Sequence, residues 1–110
     1  MKEIKSQFEK IVQEDFNEFR EISKTFMYVK PEDTETLYQL SIDSWLLATR
    51  WSEIQSNASK IAIDHEINKT DFKDYCYQKY RQLQEMHITC RSWYRLAKED
   101  EQSLKGLEIT

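Results

Sequence analysis

Apolar residues between positions 37 and 61 recur at alternating steps of three and four, the spacing of one face of a long helix. This seam consists of Leu37, Leu40, Ser44, Leu47, Trp51, Ile54, Ala58 and Ile61. The whole 110-residue chain has one glycine and one proline, although sheet turns and phosphate-binding loops need both residue types. The sequence therefore predicts an all-α fold, a single helical domain over residues 1–110 with about four helices, a long central helix among them.

The other predicted helices follow from the same periodicity. The first, over about residues 2–26, has its apolar face at Ile4, Phe8, Ile11, Val12, Phe16, Phe19 and Ile22. It ends before Pro31, and Asp33 or Thr34 is predicted to cap the central helix. A break at 64–69 precedes a third helix over about 71–86, capped by Asn68 or Thr70.

A short turn is predicted after Met86, with Thr89 as the N-cap of a last helix over about 90–104. In that helix Trp93 and Leu96 would face the core, and Arg91 and Arg95, four positions apart, would share the opposite face. A helix, a short turn and a second helix form the outline of a helix-turn-helix.

The central helix also carries a second apolar stripe, formed by Tyr38, Ile42, Trp45 and Leu46. Two interpretations are open and compatible: neighbouring helices of the same chain wrap the central helix, or one face joins subunits of a homo-oligomer. The candidate residues for an oligomer interface are Leu40, Leu47, Trp51 and Ile54.

Charge is unevenly distributed along the chain, whose net charge is −4. Residues 69–98 hold seven basic and three acidic side chains, a local charge of +4. Basic residues on one helical face suit phosphate contacts, although such faces often serve solubility alone. The DNA-binding candidates are Lys73, Lys79, Arg81, Arg91, Arg95 and Lys98.

Sequence motifs for chemistry are weak. His65, Cys76, His87 and Cys90 are scattered rather than paired at zinc-ligand spacings, and no nucleophile lies in an elbow-like motif. We therefore expect no enzyme activity, no catalytic residue, no metal and no cofactor. The two cysteines are expected to be reduced thiols, and no apolar run is long enough for a membrane span, so we expect a cytoplasmic protein.

The run from Glu85 to Leu96, EMHITCRSWYRL, resembles the C-terminal signature of phage terminase small subunits, roughly ELGLTPxSRxRL. Glu85, Thr89, Ser92, Arg95 and Leu96 agree with it, whereas His87, Cys90 and Trp93 replace its glycine, proline and arginine. The stretch from Lys30 through Trp51 is also similar to that family's Leu-, Tyr- and Trp-rich helix.

The resemblance implies a noncatalytic, ring-forming packaging protein in the host cell cytoplasm. Such a protein recognises double-stranded viral DNA and directs it to the terminase large subunit. Two alternatives remain: a small phage adaptor or inhibitor that binds a host or phage protein, and a helical mediator of recombination that binds single strands.

Overall fold

The computed structural model describes the backbone of residues 2–109 and the side chains of residues 7–100. Five helices follow one another: α1 (Lys2–Ile11), α2 (Gln13–Tyr28), α3 (Thr34–Ser56), α4 (Ala58–Asp64) and α5 (Lys69–Ile109). The all-α prediction is confirmed. The described residues form five helices rather than about four. The long central helix is α3, with 23 residues, and the C-terminal α5 is longer still, with 41 residues.

Two of the helix boundaries are bends in nearly continuous helices. At Val12 (φ −114°, ψ 37°) the backbone leaves helical geometry, yet its N–H still donates to the carbonyl of Phe8 and its carbonyl accepts from Phe16. Asn57 is similarly placed between α3 and α4, because its N–H donates to Glu53 and its carbonyl accepts from Ile61. The five helices therefore form three long rods.

The predicted caps of α3 and α5 are present. Asp33 accepts hydrogen bonds from the backbone N–H and the hydroxyl of Thr36, and its φ/ψ values are not helical. Asn68 accepts from the backbone N–H of Asp71 through its side-chain oxygen. These contacts satisfy N–H groups that have no partner within the helix. The break predicted at 64–69 is present at residues 65–68, between α4 and α5.

The turn predicted after Met86 is wrong, and so is the capping role of Thr89. Helix α5 passes through His87, Ile88 and Thr89 without interruption. These residues are weak helix formers but not helix breakers, and the glycine and proline of the resembled signature are missing here. Packing on α3 outweighs local preference, because Cys76, Leu83 and Cys90, spaced by seven, are all fully buried.

Helix α3 packs against α5 along most of its length, and the pairing of Tyr38 with Tyr94 and of Trp45 with His87 shows that the two helices are antiparallel. Helices α1 and α2 lie along one side of this pair. Phe8 contacts Phe72 at a ring-centroid distance of 5.4 Å. The described side chains thus form an elongated bundle of three rods, with overall extents of 67 × 23 × 18 Å.

Candidate nucleic-acid interface

One long side of the α3–α5 pair is not covered by α2. Trp93 stacks on Phe26 of α2 at 6.2 Å. Arg91 and Arg95 lie two positions either side of Trp93, about 200° around the helix, so they point away from α2. We call this surface the α3–α5 face; it comprises Tyr38, Ile42 and Trp45 of α3 and His87, Ile88, Arg91, Tyr94 and Arg95 of α5.

Two pairs of rings cross from α3 to α5 on this face. The ring centroids of Tyr38 and Tyr94 are 5.3 Å apart, and those of Trp45 and His87 are 5.1 Å apart. On each helix the two ring-bearing residues are seven positions apart, so the two ring pairs are separated by about 10 Å along the bundle. Tyr38 remains 50% exposed and Trp45 51% exposed, although each is supported by a ring of α5.

A hydrogen bond of His87 holds the Trp45–His87 ring pair in place. Its Nδ1 atom lies 2.6 Å from the backbone carbonyl oxygen of Ser41. Because a carbonyl oxygen only accepts, Nδ1 carries the proton in this contact. The hydrogen bond thereby holds the imidazole against the indole of Trp45. The imidazole in turn restricts the positions that the indole can take.

The exposed charges of the face are basic. Arg91 and Arg95 are both exposed and one helical turn apart. Lys98, half-buried one turn further on, holds its Nζ atom 5.7 Å from the Tyr94 ring centroid. Acidic residues Glu99 and Asp100 follow directly, so the basic segment ends there. The structure thus places three of the six predicted DNA-binding residues together.

The other three predicted residues are placed differently. Arg81 donates to the hydroxyl of Tyr77 at 3.2 Å and lies 3.9 Å from a carboxylate oxygen of Glu85, which offsets part of its charge. Lys73 is half-buried near the start of α5, about five helical turns before the middle of the face. Neither residue adjoins Arg91 and Arg95.

Lys79, also predicted to bind DNA, lies on the α2 side of α5, away from Arg91 and Arg95. Its Nζ atom lies 4.6 Å from the ring centroid of Phe19, 5.2 Å from that of Tyr75 and 5.9 Å from that of Phe16. Aromatic rings attract an ammonium group through their negative faces. Lys79 therefore helps to join α2 to α5.

The residues predicted as an oligomer interface are inside a single chain. Leu40, Leu47 and Trp51 are buried by the chain's own helices, and Ile54 packs partly against the same core. Of the two interpretations of α3, wrapping by neighbouring helices therefore holds for this seam. The second stripe stays exposed at Tyr38, Trp45 and Leu46.

Leu96 was expected to face the core together with Trp93, but it is 57% exposed. That expectation depended on the register of a separate last helix. In the continuous α5, the hydrophobic residues after Leu83 that face the core are Cys90 and, in part, Met86, Trp93 and Tyr94. The pairing of α3 with α5 rings was not predicted, although the seven-residue spacing of Tyr38 and Trp45 is repeated at His87 and Tyr94.

Cys76 and Cys90 are free buried thiols. They are about 21 Å apart along one helix, too far to form a disulfide with each other. Burial raises the pKa of Cys90 to about 11 and that of Cys76 to about 12, which keeps both thiols neutral and weakly nucleophilic.

Other kinds of site are not indicated within the part of the chain that the structure describes. There, no three His, Cys, Asp or Glu side chains come together as ligands of a metal ion. None of the helices searched over those residues has both the length and the apolar character of a bilayer span.

Comparisons with known proteins add no relative: no family model matches the chain, and neither the curated proteins nor the solved structures contain a significant match.

Proposed function

We propose that this chain is a noncatalytic DNA-binding protein that contacts DNA through the α3–α5 face. The observation that carries the proposal is the exposed pair Arg91 and Arg95 beside the half-exposed rings of Tyr38 and Trp45. Guanidinium groups bind phosphate oxygens, and exposed aromatic rings add apolar contact with sugars and bases. The net charge of −4 favours a local contact over coating of DNA by the whole surface.

The sequence resemblance supports a more specific role. A protein like a phage terminase small subunit would recognise double-stranded viral DNA and direct it to the terminase large subunit. Arg95 and Leu96 belong to the resembling run and are exposed here, where another molecule can contact them. Because α5 is continuous, this role would use the side of one long helix rather than a helix-turn-helix.

Binding of a labelled duplex, measured by fluorescence anisotropy, tests the DNA-binding proposal. The duplex should bind at low salt and be released as salt increases, because phosphate contacts displace counterions. The double variant Arg91→Ala/Arg95→Ala should bind much more weakly. Arg20→Ala/Lys24→Ala is a matched control, since it also removes two exposed basic residues four positions apart, on α2.

Absence of DNA binding at low salt, or equal losses in the two double variants, would contradict the proposal. The terminase-like role has a separate test. It requires an oligomer in solution, so light scattering that gives a strictly monomeric mass with and without duplex would exclude that role. A monomeric mass would not contradict the proposal that the chain binds DNA.

A protein-binding adaptor is the second candidate, favoured by the exposed apolar side chains of Tyr38, Trp45, Leu46 and Ile88. Trp, Tyr and Arg are the side chains most enriched at the energetic centres of protein interfaces. A chain that binds a host or phage protein through Trp45 and does not bind DNA would support this candidate instead.

A further inference from the structure

The two ring pairs of the α3–α5 face are arranged as a platform for bases. Each pair leaves one half-exposed ring, Tyr38 or Trp45, against which a flat group from outside the chain can stack. The second ring of each pair, Tyr94 or His87, supports it from α5. Only a base with a free face can use such a platform, and in a duplex each base face is covered by its neighbour.

The spacing of the rings fits a short stretch of one strand. Tyr38 and Trp45 are seven residues apart on α3, about 10 Å along the helix. A stacked strand rises about 3.4 Å per nucleotide, so this distance corresponds to about three nucleotides. Arg91 lies between the two ring pairs in sequence, and Arg95 follows Tyr94 directly.

The basic residues of the face can bind the phosphates of the same strand. Arg91 and Arg95 are exposed, and Lys98 extends their row by one more turn of α5. The α3 side of the face contributes no carboxylate between Tyr38 and Trp45 that points toward α5: Asp43 lies on the α2 side, where it lines a cavity with Glu21 and Ile22. A basic row beside a row of rings is the arrangement by which proteins bind single strands without strong sequence preference.

We propose that the α3–α5 face binds single-stranded DNA, with bases stacked on Trp45 and Tyr38 and phosphates paired with Arg91 and Arg95. This inference rests on the proposed DNA-binding function and names the form of DNA that the face prefers. Ile88, which follows His87 in sequence and is 57% exposed, supplies apolar contact to the sugars.

The test compares an oligo(dT) of about 16 nucleotides, the upper site size of one small single-strand-binding domain, with a duplex of equal length. Both are titrated with the full chain by anisotropy at the same salt concentration. We expect tighter binding of the single strand. Trp45→Ala should weaken it about fivefold or more, the effect of losing one stacked base, and should change duplex binding much less.

Two further variants separate stacking from folding. Trp45→Phe keeps a ring and should restore most of the single-strand affinity. Tyr28→Ala, at an exposed tyrosine on α2, should leave the affinity unchanged. Quenching of tryptophan fluorescence by oligo(dT) should be lost in Trp45→Phe. Of the other two tryptophans, Trp51 is fully buried and Trp93 stacks on Phe26, on the α2 side and away from the α3–α5 face.

Three results would overturn the inference. Equal or tighter duplex binding would refute it while leaving the proposed DNA-binding function and the terminase-like role standing. An unchanged single-strand affinity in Trp45→Ala would exclude stacking at this ring. If neither nucleic acid binds at low salt, the inference and the proposed function both fail.

Discussion

His87 and Ser41 join the middle of α5 to the middle of α3, with the imidazole Nδ1 2.6 Å from the backbone carbonyl oxygen. The two residues are 46 positions apart, so the contact reports tertiary structure and not local sequence. It lies directly below the half-exposed indole of Trp45, whose ring packs on the same imidazole. His87 therefore contributes both to the stability of the bundle and to the shape of the α3–α5 face.

Replacing His87 by alanine should lower the free energy of unfolding by about 1–2 kcal/mol, because the hydrogen bond and the ring contact are both lost. Urea denaturation measures this change. His65→Ala is the matched control: His65 is exposed in the loop before α5, and its removal should change stability by less than about 0.5 kcal/mol. Equal effects of the two variants would show that the contact with Ser41 is unimportant.

The continuity of α5 can be tested at Cys90, where the resembled family has proline. Within a continuous helix, Cys90→Pro removes a hydrogen bond and should cost about 3 kcal/mol or more beyond the cost of Cys90→Ala. A helix that began after a turn capped by Thr89 would instead accept proline at its first position. Equal unfolding free energies for Cys90→Pro and Cys90→Ala would thus favour the turn.

The sequence predicted those features that depend on local chemistry. Asp33 and Asn68 cap helices because their side chains reach N–H groups three positions later. The α3 seam was recognisable because its period matches a helix face. The continuity of α5 was not recognisable, because residues 87–89 are weak helix formers. The buried residues Cys76, Leu83 and Cys90 stabilise the helix there only through their packing against α3, which the local sequence does not show.

The candidate site was predicted in part for the same reason. Arg91, Arg95 and Lys98 were found from their helical spacing, which local structure determines. Lys79 lies twelve positions before Arg91, about 120° around the helix, and its ammonium group is directed to the rings of Phe16 and Phe19 on another helix. Which side of α5 is covered depends on where α2 packs, and no pattern within α5 carries that information.

Core packing predicts that alanine substitutions of two leucines have very different effects on the free energy of unfolding. Leu83 is fully buried between α3 and α5, and Leu83→Ala should lower the free energy of unfolding by about 2–5 kcal/mol. Leu46 is 59% exposed, and Leu46→Ala should change it by less than about 0.5 kcal/mol. Urea denaturation of the two variants and the wild type measures both changes. A loss of less than about 1 kcal/mol for Leu83→Ala would contradict the burial of this side chain in the core.

The buried thiols predict a fall in stability at alkaline pH. An unfolded cysteine loses its proton near about pH 8.5, whereas the pKa of Cys90 is raised to about 11 in the folded chain and that of Cys76 to about 12. Above about pH 8.5 the unfolded state therefore binds fewer protons than the folded state, and the free energy of unfolding decreases as pH rises.

The measurement is urea denaturation between about pH 8 and pH 11, compared with the variant Cys76→Ala/Cys90→Ala, in which the decrease should be smaller. In the folded wild-type chain, DTNB should modify neither thiol quickly. Rapid modification of the native protein, or an equal pH dependence in the variant, would contradict the burial of these two groups.

The most direct test of DNA binding through the α3–α5 face is the salt dependence of duplex affinity for the wild type and for Arg91→Ala/Arg95→Ala. Each phosphate contact contributes about 0.9 to the slope of log affinity against log salt, so the double variant should have a slope smaller by about 1.8. The control Arg20→Ala/Lys24→Ala should keep the wild-type slope. An unchanged slope in Arg91→Ala/Arg95→Ala, or the same decrease in the control, would show that this face does not hold the DNA.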